Sequence, residues 1–165
     1  MSTRLRSRLS TFALAAFVAL ALAVPATGWA YGGQPHFPVE SEVAPTGERA
    51  AKIALKAVGV PYRWGGESPT SGFDCSGLVR WAYGRVGVDL PHSSYALYSE
   101  GRRVSASRME PGDLLFFEGL GHVGLYLGRG RMVHAPQSGR DVEVVRLGGS
   151  GYGGRLIGAR RVVPS

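Results

Sequence analysis

The sequence predicts an α+β domain, with N-terminal helices packed on an antiparallel sheet of about five or six strands. Two observations predict it. Apolar residues recur at helical spacing in two segments before residue 90, and from Pro111 onward the pattern changes to short strand-like runs separated by Gly-rich turns. Helices first and a meander of strands afterwards is the pattern of an α+β domain with an antiparallel sheet.

Residues 1–30 read as a secretory signal peptide. Arg4, Arg6 and Arg8 form a basic start, Phe12 to Val24 an apolar run of 13 residues, and Ala26, Gly28 and Ala30 supply small residues for cleavage. Thirteen apolar residues fall short of the roughly 20 that span a bilayer, so no stable membrane insertion is expected after cleavage. No cysteine follows the run and no Arg-Arg pair precedes it, which disfavours a lipid anchor and the twin-arginine route. Residues 31–45 are rich in Gly and Pro without periodicity and read as a flexible linker.

The first helix is expected from Thr46, taken as its N-cap. Ala50, Ile53, Ala54, Ala57 and Val58 fall on one face, and Gly59 and Pro61 end it. PYRWGGESPTSGF, 61–73, is heavy in turn formers and reads as a loop. The second helix takes Asp74 as N-cap and sets Cys75, Leu78, Val79, Ala82 and Val86 on one face. Ser93 or Ser94 caps a short third helix ending at Gly101. The strands are DLLFFE (113–118), HVGLYLG (122–128), RMVHA (131–135), DVEVVRL (141–147) and LIGARRVV (156–163).

Composition narrows the function. Without the three signal-peptide arginines the chain carries 16 basic and 12 acidic residues, a net charge of +4. That suits an anionic partner such as a bacterial cell-wall polymer, and equally a soluble surface. The arginines are scattered, with no basic helix or aromatic-basic strand, so nucleic acid is not an expected partner.

Cys75 is the only cysteine, so no internal disulfide forms. It is buried filler, an intermolecular link or a reactive thiol. Its place in the first turn of a helix, beside unpaired N–H groups and the positive end of the dipole, predicts a lowered thiol pKa. A nucleophilic cysteine needs a base and an orienting group. His36 lies in the linker and His92 in a loop, whereas His122 and His134 lie on adjacent expected strands. A three-residue loop of Gly128, Arg129 and Gly130 sets Gly124 opposite His134 and makes His122 its diagonal neighbour on one face. A two-residue loop sends the imidazoles to opposite faces. Taken singly, a lone Cys in an amphipathic helix and a His on a strand are more often packing residues. A zinc site from Cys75, His122 and His134 ranks below a Cys–His pair, because no C-x-x-C or H-E-x-x-H spacing supports it.

PYRWGG (61–66), DCSGLV (74–79), PGDLLFF (111–117), GHVGLYLG (121–128) and MVHAP (132–136), followed by LIGARR (156–161), occur in an order and spacing that resembles the NlpC/P60 family. The resemblance covers about residues 48–163 and makes 46–165 the expected catalytic domain. It implies a papain-like fold and a secreted, periplasmic or wall-associated cysteine peptidase acting on peptidoglycan stem peptides. The bond implied joins the γ-carboxyl of D-glutamate to a diamino acid. It implies Cys75 as nucleophile, His122 as base, His134 as the group orienting it, and Tyr62 lining the site with its hydroxyl. For Tyr62 the other reading is loop packing.

Substrate-binding candidates by the same resemblance are Asp74 (for an amine, besides its cap role), Ser93, Ser94, and Trp64, which walls the cleft or is simply a buried aromatic. His92 and Leu97 depart from the Arg and Gln common in the family, at positions expected to flank the cleft. No cofactor and no metal is expected, and a monomer is. The rival readings are an amidase or acyltransferase on the same scaffold, and a non-catalytic wall-binding module.

Overall fold

Four consecutive apolar residues, Leu114–Phe117, are all buried and form an inner strand of the sheet, as a strand with no solvent face requires. The computed structural model describes residues 45–163. The expected signal peptide and all of the expected linker but Pro45 lie outside the described residues.

In chain order the elements are α1 (Thr46–Leu55), β1 (Glu67–Ser68), β2 (Gly72–Phe73), α2 (Cys75–Gly84), α3 (Ser94–Leu97), β3 (Arg102–Val104), β4 (Leu114–Phe117), β5 (Val123–Gly128), β6 (Arg131–His134), β7 (Glu143–Arg146) and β8 (Leu156–Arg161). β1 and β2 form a small hairpin, and the other six strands form one sheet in the order β3-β8-β4-β5-β6-β7. All of its pairings are antiparallel. The α+β expectation and the strand number hold.

The sheet's two faces carry two cores. Leu114, Phe116, Val123, Leu125 and Val133 meet Leu78, Val79, Ala82 and Tyr83 of α2 and Ala50 and Ala54 of α1. Leu115, Phe117, Tyr126, Met132, Leu147 and Ala159 cluster on the opposite face. Odd and even positions of β4 and β5 thus separate cleanly, as the two-residue period of a strand demands.

Several expectations need correction. Pro45, not Thr46, is the N-cap of α1, and no side chain caps that end; proline at a helix entrance has no N–H left to satisfy. Val58 lies beyond the end of α1 and is exposed, while Ala51 joins the buried face. α3 stops at Leu97, short of Gly101. The 61–73 loop holds the β1–β2 hairpin, and β3 went unread because a three-residue edge strand with two arginines has no apolar alternation.

The β5–β6 connection is also not the expected one. The turn has two residues, Arg129 and Gly130, both at positive φ (54° and 66°), between the paired Gly128 and Arg131. A bulge between Tyr126 and Gly128 absorbs Leu127 as an extra residue. The two changes cancel, so Leu125 still faces Val133 and the continued register sets Gly124 opposite His134.

One ion pair with a buried carboxylate ties the end of β8 to the turn before β4. Arg161 Nε donates to Asp113 Oδ1 at 2.8 Å and its Nη2 to Oδ2 at 2.9 Å. Asp113 also accepts from the Glu110 N–H at 2.8 Å, and its side chain is 2% exposed. Removing one partner strands a buried charge. Arg161→Met, which leaves the buried Asp113 carboxylate unpaired, should therefore lose about 3 kcal/mol in urea unfolding, and a loss below about 0.5 kcal/mol would contradict this account.

Candidate active site

Asp74 organises the nucleophile side. Its Oδ1 accepts from the Gly77 N–H at 2.7 Å, capping α2 as expected, and from the Ser76 hydroxyl at 3.1 Å. Its Oδ2 accepts from the Gly65 N–H at 2.9 Å, fastening the 61–66 loop to the helix start. Gly77 must lack a side chain here, because a Cβ would sit 2.0 Å from the Gly66 carbonyl oxygen. The cap and the glycine together bring the loop against the first turn, with Cys75 the first helical residue.

The loop is laced on its other side too. The Tyr62 N–H donates to the Arg140 carbonyl at 2.8 Å, and the Arg63 N–H to the Phe73 carbonyl at 2.9 Å. Burial first, then the neighbouring Cys75 and Asp74, raise the Tyr62 pKa, so its hydroxyl keeps its proton beside the thiol.

Cys75 corrects a sequence expectation. Burial pushes its thiol pKa up and the nearby Asp74 charge adds to this, although backbone groups of Val123, Ser76 and Cys75 itself favour the thiolate. The helix N-terminus is present, but desolvation outweighs it.

The imidazoles meet as the register allows. His122 Nε2 and His134 Nδ1 are 2.8 Å apart, and the rings cross at 76°. Gly124 leaves their space open: a Cβ there would lie 2.9 Å from Met132 Sδ and 3.3 Å from His134 Cβ. Burial lowers the His122 pKa to about 4, helped by His134 and Arg155. Burial also lowers that of His134 to about 4, helped by Arg140. Near neutral pH the site therefore holds an uncharged thiol and two uncharged rings. Because Nε2 of His122 faces His134, Nδ1 is the nitrogen left to take a proton.

Tyr152 is a site residue that no motif marks. It lies in the glycine-rich 148–154 segment (GGSGYGG) and covers the pair, with its ring centroid 5.6 Å from His122, 4.9 Å from His134 and 5.1 Å from Phe117. The Arg155 guanidinium sits 5.0 Å over it. A lone Tyr among glycines was the only available cue.

The other candidates divide. Trp64 is 89% exposed, which rules out the buried-aromatic reading. Ser93 caps α3, its hydroxyl accepting from the Ala96 N–H at 3.5 Å, and Ser94 is buried, donating to the Leu120 carbonyl at 2.6 Å. Leu97 is fully buried in the core and does not flank a cleft. His92 Nε2 donates to Asp74 Oδ1 at 2.9 Å, with its Nδ1 3.3 Å from Glu67. Among the described residues no group of three or more His, Cys, Asp or Glu is placed to hold a metal. In the zinc alternative, the facing imidazole nitrogens are hydrogen-bonded to each other.

Comparison with known proteins gives the same picture. The NlpC/P60 family model matches residues 59–161. A Mycobacterium tuberculosis protein named "Probable endopeptidase" is 46% identical over 123 residues, 73% of this chain and 32% of that protein. Murein DD-endopeptidase MepH of Escherichia coli is 36% identical over 128 residues, 70% of this chain and 47% of that protein. The chain thus spans about a third to a half of the length of these curated relatives. The NlpC/p60 domain of the peptidoglycan hydrolase SagA superposes with TM-score 0.63 at 37% identity, covering 70% of this chain and 98% of that one. An NlpC/P60 family protein from Bacillus cereus does so with TM-score 0.68 at 34% identity, covering 73% and 41%. With its motifs, its fold and these matches in agreement, the chain belongs to the NlpC/P60 family.

Proposed function

We propose that this chain is an exported peptidoglycan hydrolase, a cysteine endopeptidase that cuts stem peptides at the bond between the D-glutamate γ-carboxyl and a diamino acid. The observation that carries this reading is that the Val123 backbone lies at the helix-start thiol while its chain neighbour His122 is hydrogen-bonded to His134. Export rests on the signal-like first 30 residues, and places the protein in the periplasm or cell wall, or outside it.

Cys75 Sγ attacks the amide carbonyl carbon while His122 Nδ1 takes the thiol proton. The backbone N–H of Cys75 supports the resulting oxyanion. The C–N bond then breaks, the proton passes from His122 to the leaving amine, and a thioester remains on Cys75. Water attacks the thioester with His122 again as base, which releases the free carboxylate and restores the thiol. His134 holds the ring of His122 in line, and Tyr62 lines the site as a hydroxyl donor. The exposed Trp64 is the candidate to meet substrate; Asp74 serves first as the cap, its carboxylate already holding four hydrogen bonds, and Ser93 lies at the start of α3.

The likeness to MepH supports a second reading, in which the bond cut is a cross-link between two stem peptides. Digestion of purified muropeptides, read by mass spectrometry, separates the two. Fragments ending in D-glutamate are expected, and fragments from an opened cross-link alone would favour the second. Cys75→Ala should abolish either reaction while leaving the thermal unfolding curve in place; wall binding without any cleavage by the wild type would instead favour a binding module.

His122→Ala should lower kcat more than His134→Ala, since one residue moves the proton and the other orients it. Equal rates for the two variants would contradict the assignment. The pH profile carries a further expectation. A base must be unprotonated, and burial lowers the His122 pKa to about 4. The acid limb of kcat/KM should therefore lie near pH 4, with activity rising above it and belonging to the coupled pair rather than to one ring. An acid limb at the ordinary imidazole value, about 6.5, would show that burial does not lower the His122 pKa.

A further inference from the structure

We infer that Glu143 is a positioning residue of this site: its carboxylate, held by Arg140, accepts the Nε2 proton of His134 and so fixes the tautomers of both imidazoles. The inference rests on the reading of His122 as the base.

The protons are ordered along a line of groups. For His122 to take a proton at Nδ1, its own hydrogen must sit on Nε2 and be donated to His134 Nδ1, 2.8 Å away. The hydrogen of His134 then sits on its Nε2. That nitrogen is buried and has no hydrogen-bond partner among the described residues, an arrangement costly enough that native proteins rarely keep it. The polar group facing it is Glu143 Oε1, at 3.4 Å. In the sheet, His134 and Glu143 are direct cross-strand partners, so a small rotation of the carboxylate completes the bond.

The opposite tautomer is the unproductive one. It would place a hydrogen on His122 Nδ1, where a proton must be received, and turn the His134 Nε2 lone pair toward a negative oxygen. A carboxylate at this position therefore selects the arrangement that leaves the base open.

Arg140 supports the carboxylate. Its Nη2 donates to Glu143 Oε2 at 2.6 Å, while its backbone carbonyl accepts from the Tyr62 N–H at 2.8 Å. One residue thus ties the outer end of the imidazole line to the loop beside Cys75. The other titratable groups around the pair are Tyr152 and Arg155 of the loop before β8, with Cys75 of α2 near Tyr152.

Nitrogen-15 NMR of the full chain, labelled at histidine, tests this without substrate. His134 should carry its hydrogen on Nε2 at neutral pH, and an Nδ1–H tautomer would overturn the inference. Kinetics supply the second arm. Glu143→Ala should lower kcat roughly 10- to 100-fold with little change in KM, and Glu143→Gln, which keeps an acceptor oxygen, should recover part of it. Unchanged kcat in Glu143→Ala would overturn the inference as well. Should Glu143→Ala not fold, the wild-type tautomer and the exposed Arg140→Ala decide it: Arg140→Ala should fold and lower kcat, and leaving kcat unchanged would count against the inference. A wild type that cuts no muropeptide would fail the functional reading alone, because the tautomer measurement needs no turnover.

Discussion

The carboxylate of Asp74 is the constraint on which the nucleophile side rests. It accepts four hydrogen bonds, from Gly65, Ser76, Gly77 and His92, which fix the start of α2, the 61–66 loop and the segment before α3 relative to one another. Capping alone stabilises a helix by about 1 kcal/mol. The further consequence here is geometric, because the helix start that carries Cys75 and the loop packed against it are placed by the same residue. Its charge also has an opposing effect, as it disfavours the thiolate that the helix start would otherwise support. A neutral resting thiol follows from that balance, and with it a mechanism in which the base acts during attack rather than before it.

The imidazole side is fixed differently, by sheet register. The bulge at Leu127 and the Arg129–Gly130 turn each shift the strand by one residue, and only together do they keep His122 and His134 on one face. Gly124 then leaves the rings room to meet. Their burial under Tyr152 keeps both uncharged, so the pair transmits a proton position rather than a charge. The two halves join at the start of β5, where the Val123 backbone lies at the thiol.

Much of this was legible in the sequence. The Asp74 cap, the placement of Cys75 in the first turn and the five longer strands follow from spacing and from residue type. The pairing of His122 with His134 was found through the wrong turn, because a bulge leaves no mark in a run such as VGLYLG. The thiol pKa departs from the expectation for a related reason: a helix dipole can be read from local sequence, whereas desolvation depends on what the whole chain brings near. Trp64 and Leu97 show the same limit from opposite sides, since an aromatic expected to be buried is exposed and a residue expected at a cleft lies in the core. Tyr152 and Glu143 were missed because their roles come from tertiary packing and cross-strand pairing rather than from any motif.

The central claim is that Cys75 becomes acylated during turnover. Acid-quenching the full chain with stem peptide during turnover, followed by intact-mass measurement and peptide mapping, tests it most directly. A thioester on Cys75, with the mass of the fragment ending at D-glutamate, is the predicted result. Turnover that continues after Cys75 has been fully alkylated would contradict it.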